Sequence, residues 1–331
     1  MSITIKDVAK EAGVSVATVS RVLNGSCNVS DESTKKVNET IARLNYSPNF
    51  LGRNLRKCET NVILVIMPTS EHSLYSKIVM GMQEYAGKVG YDIITAVSYS
   101  TSTAETRQMN MLFNRTVDGV ILLGTQYDAD SLNKLAENYN VALCCEGVKG
   151  ANVLTVAVDD EQAAFDAVAA LIKKGHKRIG FIGTNSAAIS STARENGYIR
   201  ALKEYGIEIK NEYIYKESYD YDCGGRAFEY FNALDEKPTA IFAVSDLLAI
   251  SAMHKAIDMG IDVGKDVAIM GFDNISMCEW IIPTLSTVEQ PCSKMGELVV
   301  AKLIENMNKT TKDNHYYTVD HRIILRESTG D

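Results

Sequence analysis

From Asn61 onward one pattern recurs: a short apolar run, then a longer amphipathic stretch, with glycine at several of the changeovers. Residues 62–67, 91–97, 119–123, 141–145, 178–183, 213–217, 240–244, 267–271 and 285–288 read as strands, and 75–89 and 104–114 as helices. Helices are expected to end at Gly90, Gly175, Gly206 and Gly260, where a left-handed residue closes the last turn. Alternating β and α selects parallel sheets with helices on both faces. So many units fit two sheets better than one, and 331 residues at 46% hydrophobic content can fill two cores. In open sheets of this kind, ligands lie beyond the carboxyl ends of the strands. That rule selects the 69–75 segment, with Ser70 and Tyr75, then Thr125, Glu146, Arg194, Tyr219, Ser245, Asp246, Asp273 and Gln290. Hydroxyls, amides, carboxylates, one arginine and aromatic faces suit a polyhydroxylated ligand, because each hydroxyl both donates and accepts. Asp246 reads equally well as a helix N-cap. Trp280, the only tryptophan, reads as packing at a lobe or subunit surface in preference to stacking on a ligand.

The first 60 residues follow a different pattern. Ile5, Val8, Ala9 and Ala12 form one helical stripe, and Gly13 breaks it. Ser15 can cap a second helix running to about Asn24, with Val19, Val22 and Leu23 inward; Ser30 can cap a third running to about Leu44. Two short helices joined by a glycine-containing turn, then a supporting helix, make a helix-turn-helix arrangement. In that geometry Ser15, Val16, Ala17, Thr18, Ser20 and Arg21 meet the major groove, with Arg21 able to fork onto guanine. A three-helix protein-binding module with a solvated polar face would share the pattern. The formal charge of −8 argues against nucleic acid only if it is evenly spread. It is not: residues 1–60 hold nine cations and six anions, a net +3, which leaves −11 on the remainder.

The stretch Thr4-Ile-Lys-Asp-Val-Ala-Lys-Glu-Ala-Gly-Val-Ser-Val-Ala-Thr-Val-Ser-Arg-Val-Leu-Asn-Gly25, with Val29-Ser30 and Leu44-Asn-Tyr-Ser-Pro-Asn49, resembles the DNA-binding head of the lactose/galactose-repressor (LacI/GalR) family. The likeness continues to the C-terminus. It implies a helix-turn-helix domain over 1–46, a hinge helix and linker over 47–60, and a two-lobed, periplasmic-binding-protein-like α/β core over 61–331. Lobe 1 would take about 61–160 and 290–318, and lobe 2 about 161–289 and 319–331. The resemblance extends the DNA-contacting set to Thr4, Asn24, Tyr46, Asn49, Arg53, Leu55 and Arg56. Ser47 and Pro48 suit the start of a hinge helix, but about nine residues including Gly52 are marginal alone in water. Such a segment is expected to fold on DNA, with Leu55 wedged into the minor groove; the plainer reading is a tether with Leu55 packed on the body.

Arg194 in Ala193-Arg-Glu-Asn-Gly197, Ser245-Asp246, and Asp273 in Gly271-Phe-Asp-Asn274 match family motifs, and the resemblance makes Arg194 and Asp273 effector-holding residues. Glu146-Gly147 departs from the more usual Asp-Arg, and Asp220 stands where relatives often carry an aromatic, a role open to Tyr219 or Tyr221. The resemblance implies a homodimer on a near-palindromic operator, controlled by a sugar or sugar phosphate, most simply a repressor of sugar-utilisation genes. Alternatives are a carbon-catabolite regulator with a phosphocarrier protein as co-effector, or a nucleobase-corepressed regulator. No GxxxxGK[ST] or GxSxG motif occurs and the 5 histidines lack ligand spacing, so neither catalysis, a cofactor nor a metal is expected. The N-terminus lacks an apolar signal segment, no apolar run approaches membrane-spanning length, and the 7 cysteines form no CxxC pair. A cytoplasmic protein, nucleoid-associated when on DNA and without membrane contact, is the expectation.

Overall fold

A computed structural model describes residues 3–23, 29–46, 59–185, 188–309 and 312–331. The chain divides into two compact units, Met1–Thr60 and Asn61–Asp331. The first unit holds α1 (Ile5–Ala12), α2 (Val16–Leu23) and α3 (Asp31–Leu44). Local capping sets their ends. The Asp7 carboxylate accepts from the Thr4 backbone N–H at 2.8 Å, and Gly13 closes α1 at φ +67°. Ser15 Oγ accepts from the Thr18 N–H at 3.0 Å and Ser30 Oγ from the Ser33 N–H at 3.3 Å. Val8, Ala9, Val19 and Val37 are the buried centre of this unit.

The second unit contains two six-stranded sheets. Lobe 1 is built on β1 (Val62–Met67), β2 (Asp92–Val97), β3 (Gly119–Leu122), β4 (Val141–Cys144), β5 (Leu154–Ala157) and β11 (Tyr316–Thr318). Their order is β11-β5-β4-β3-β1-β2, all parallel. Lobe 2 is built on β6 (Ile179–Thr184), β7 (Ile214–Glu217), β8 (Ala240–Ala243), β9 (Ala268–Asp273), β10 (Ser286–Glu289) and β12 (Arg322–Ile324), in the order β12-β10-β9-β8-β6-β7. Its strands are parallel except β12, which runs antiparallel to β10. The expected glycine terminators are present: Gly90, Gly175, Gly206 and Gly260 all have φ between +67° and +98°. No helix among the described residues is long and apolar enough to cross a membrane.

Two strands escape the alternating pattern. β5 follows β4 through the 145–153 loop with no helix between them, and β11 is three residues long at a sheet edge. Both lack the amphipathic stretch that marks a βα unit. The helices of lobe 1 are α4 (Ser73–Lys88), α5 (Ser102–Phe113), α6 (Ala129–Asn138) and α11 (Cys292–Met307); those of lobe 2 are α7 (Asp160–Lys173), α8 (Ile189–Glu204), α9 (Tyr221–Asn232) and α10 (Asp246–Asp258). The chain crosses between lobes three times: after β5, between β10 and α11, and between β11 and β12.

Glycines set the closest helix pairing. A Cβ on Gly296 of α11 would stand 2.2 Å from the Ile78 carbonyl oxygen of α4, and one on Gly81 would stand 2.4 Å from the Ser293 carbonyl oxygen. Backbone cannot yield as a flexible side chain can, so Gly296→Ala should force the two helices apart. We expect a loss of about 1–3 kcal/mol in denaturant unfolding of the full chain; an unchanged midpoint would refute the close-packing account.

Candidate functional site

In the head, α2 presents Ser15, Val16, Ala17 and Arg21 to solvent while Val19 is buried. Val16 is 42% exposed. Arg21 makes no ion pair with any described residue. Thr18 is half-buried with its hydroxyl 2.9 Å from Ser15 Oγ, and Ser20 is half-buried too. Thr4 is tied to Asp7 at the start of α1, and Tyr46 packs against the head core. Asn24, Asn49, Arg53, Leu55 and Arg56 lie outside the described residues.

Between the lobes, the residues chosen from strand ends gather around Arg194. Its Nε donates to Asp160 Oδ1 at 2.8 Å, and its Nη1 donates to the Val244 carbonyl at 2.7 Å and to Asp273 Oδ1 at 3.4 Å. The guanidinium carbon sits 3.7 Å from the centre of the Phe272 ring. Gln290 Nε2 donates to the same Asp273 oxygen at 2.7 Å. Asp273 holds a left-handed backbone, φ +117°, at the end of β9, which is strain retained where the surroundings demand it. Its other oxygen, Oδ2, lies 3.6 Å from His72 Nε2 across the cleft.

Three further contacts join the lobes. His72 Nε2 is 2.9 Å from Tyr219 Oη, with the two rings stacked. Lys77 Nζ donates to the Asn274 carbonyl at 2.7 Å, and Ser190 Oγ donates to Glu146 Oε1 at 2.5 Å. Burial works against the Arg194 charge, yet Asp160 and Asp273 hold its pKa above the ordinary arginine value. Asp160 is pushed up to about 6 by burial, with Glu146 and Asp273 adding to the push and Arg194 opposing it. Burial, reinforced by Cys145 and Glu146, raises the Tyr75 hydroxyl far above its usual range. A cavity of about 220 Å³ lies on the Asp160 side of this cluster, lined by Glu146, Asp160, Ser190 and Tyr316 among others, and not by Arg194, Asp273 or Gln290.

Some chosen residues stand elsewhere. Asp246 was assigned to the effector, but it is fully buried: Oδ1 accepts from Thr287 Oγ1 at 2.5 Å and Oδ2 from the Ile275 N–H at 2.8 Å. It is not the N-cap either, since Ser245 caps α10 through the Leu248 N–H. A Cβ on Gly271 would lie 2.3 Å from Asp246 Oδ1, so the glycine of Gly271-Phe-Asp-Asn274 makes room for this carboxylate. Thr125 donates to the buried Glu105 carboxylate at 2.5 Å, and Ser70 is exposed. Asp160, His72, Lys77 and Ser190 belong to the cluster and escaped selection. Asp160 looks like an ordinary first-turn acid behind the Asp159 cap. A larger hollow of about 420 Å³ lies between α9 and α10, but its cations are already paired, Lys255 with Glu229 and Arg226 with Glu217 and Asp220. Among the described residues no group of histidine, cysteine and carboxylate side chains could hold a metal.

Residues 4–49 match the family described as bacterial regulatory proteins, lacI family, and residues 168–329 match the periplasmic binding protein-like domain. Catabolite control protein A of Priestia megaterium is 38% identical over 331 residues, 99% of this chain and 100% of that protein. The chain belongs to the LacI family of DNA-binding transcriptional regulators, which are not enzymes. Among solved structures, the lac repressor dimer bound to operator and the anti-inducer ONPF matches with a TM-score of 0.90 at 23% identity, covering 99% of each chain. A transcriptional regulator CelR–cellobiose complex matches with a TM-score of 0.74 at 27% identity, covering 98% of this chain and 99% of that one.

In this LacI-family body Arg194 is a keystone of lobe 2. Arg194→Ala would leave the buried Asp160 carboxylate and the Val244 carbonyl without their donor and Asp273 with Gln290 alone. Breaking a buried pair from one side costs about 3–5 kcal/mol, so the thermal unfolding temperature should fall by several degrees. Wild-type stability in the variant would contradict the ion-pair geometry.

Proposed function

We propose that this chain is a dimeric repressor whose hold on a near-palindromic operator is set by a hydroxylated small molecule bound between the lobes. The observation that carries the reading is the Arg194–Asp160–Asp273–Gln290 cluster at the strand ends, facing His72 and Lys77 of the other lobe. A ligand there would compete with or add to the cross-lobe bonds, and so bias the lobes between two arrangements. Residues 47–56 would convert that bias into hinge-helix order or disorder on DNA, an order–disorder coupling of a known kind. The CelR–cellobiose complex supports a carbohydrate effector, and the lac repressor dimer on its operator supports paired heads. Exposed Met277, Trp280 and Ile282, the last two 76% and 87% exposed, offer an apolar face for a second copy. Action on DNA puts the protein in the cytoplasm, with the nucleoid.

Selection of bound sequences from a random DNA pool tests this reading. Two-fold protein symmetry should enrich an inverted repeat; an asymmetric site or no enrichment would overturn it. On the enriched site, Leu55→Ala should weaken binding on the order of tenfold, as expected when an apolar wedge is lost. Ligand-induced thermal shifts of the body should be unaltered by that change. Undiminished affinity for the site would return Leu55 to the role of a tether residue.

A further inference from the structure

The charge around the cleft does not balance. Arg194 is one guanidinium facing three carboxylates, Asp160, Asp273 and Glu146, all of which act on its charge. The neighbouring cations do not fill the gap. Lys77 is turned to the Asn274 carbonyl, and His72 stands 3.6 Å from Asp273, beyond hydrogen-bond reach. Arg200 is paired with Glu161 at 2.6 Å.

Two oxygens are left facing the cavity. Asp160 is 9% exposed and lines it; Oδ1 is taken by Arg194, and among the described residues no donor reaches Oδ2. Glu146, half-buried on the opposite lobe, has one hydrogen bond, from the Ser190 hydroxyl, and no cation within ion-pair distance among the described residues. No cation can be supplied by the next position: a Cβ on Gly147 would lie 2.5 Å from Tyr316 Cε2. The cavity is therefore bounded by carboxylates from both lobes with an unmet demand for positive charge. A phosphate entering it would meet these carboxylates, and Arg194 already has Asp160, Asp273 and the Val244 carbonyl on its Nε and Nη1. A charge-assisted N–H donor would instead satisfy a buried acceptor that water reaches poorly.

We propose that the effector carries a protonated amine that docks between Glu146 and Asp160, so that this chain takes an amino sugar in preference to its neutral or phosphorylated counterpart. The inference rests on the reading of the cleft as the effector site. An amine at this point bridges a carboxylate of lobe 1 and one of lobe 2, replacing the Ser190–Glu146 contact with a stronger link. Tyr316 and Thr318, which line the same cavity, remain for the sugar ring.

Calorimetric titration of the full chain tests it, at a pH where the amine is charged. Glucosamine, galactosamine and mannosamine are compared with their parent hexoses, their N-acetyl forms and the hexose 6-phosphates; N-acetylation keeps the nitrogen and removes its charge. At least one amine should bind about tenfold or more tightly than its neutral parent and its N-acetyl form, the order expected of a charge-assisted bond. Glu146→Gln should bring that ratio close to one. If a neutral hexose or a 6-phosphate binds as tightly as the amine, the proposal falls and the cleft reading stands. If no hexose of any class binds, the carbohydrate reading falls and takes the proposal with it. An amine preference that survives Glu146→Gln would also overturn the assignment.

Discussion

The buried guanidinium of Arg194 is the contact on which the cleft depends. It joins α8, which carries it, to α7 through Asp160, to the end of β8 through the Val244 carbonyl, and to the end of β9 through Asp273. Gln290, on the crossover into α11, shares the Asp273 oxygen. A charge this deep is tolerated only with full pairing. The pairing therefore ties together four segments of lobe 2 beside the cleft. The contacts to lobe 1 are lighter by comparison: one histidine, one lysine and one serine–glutamate pair. Lobe 2 thus carries the denser pairing, and the lobe-to-lobe bonds are the fewer and lighter ones.

Much of the fold was legible because it is set locally. Capping serines, the break at Gly13 and the terminating glycines act within a few residues of themselves, so spacing alone reveals them. β5 and β11 were not legible, because a short strand without its own helix carries no periodic signature. Of the residues clustered around the inter-lobe contacts, Arg194, Asp273, Glu146, Tyr219 and Gln290 follow from strand ends and family motifs. Asp160 and His72 were missed because what distinguishes them is a partner 34 and 147 residues away. The burial of Asp246 was hidden for the same reason: its partners, Ile275 and Thr287, stand 29 and 41 residues away.

The division of charge has a physical consequence for DNA contact. A net +3 lies on the first 60 residues and −11 on the rest. The duplex therefore attracts the small unit and repels the large one. Arg21 and Val16 are exposed on the attracted unit, while the acidic surplus of the body extends to Glu146 and Asp160 at its own cavity.

The order in which the lobes are completed matters when the chain is made. Lobe 1 begins with β1, yet its α11 and its edge strand β11 come from residues 292–307 and 316–318. Until those residues leave the ribosome, the α4 surface around Ile78 and Met82 has no cover, and β5 has an open edge. Lobe 2 waits for β12 and the buried Ser328 and Thr329, which follow β11 in the chain. Synthesis from the N-terminus thus leaves most of lobe 2 made before lobe 1 can close, and closes lobe 1 before lobe 2 gains its edge strand. The nascent first lobe, with bare apolar helix surface and an unpaired strand, is the stage most exposed to misassembly and to chaperones.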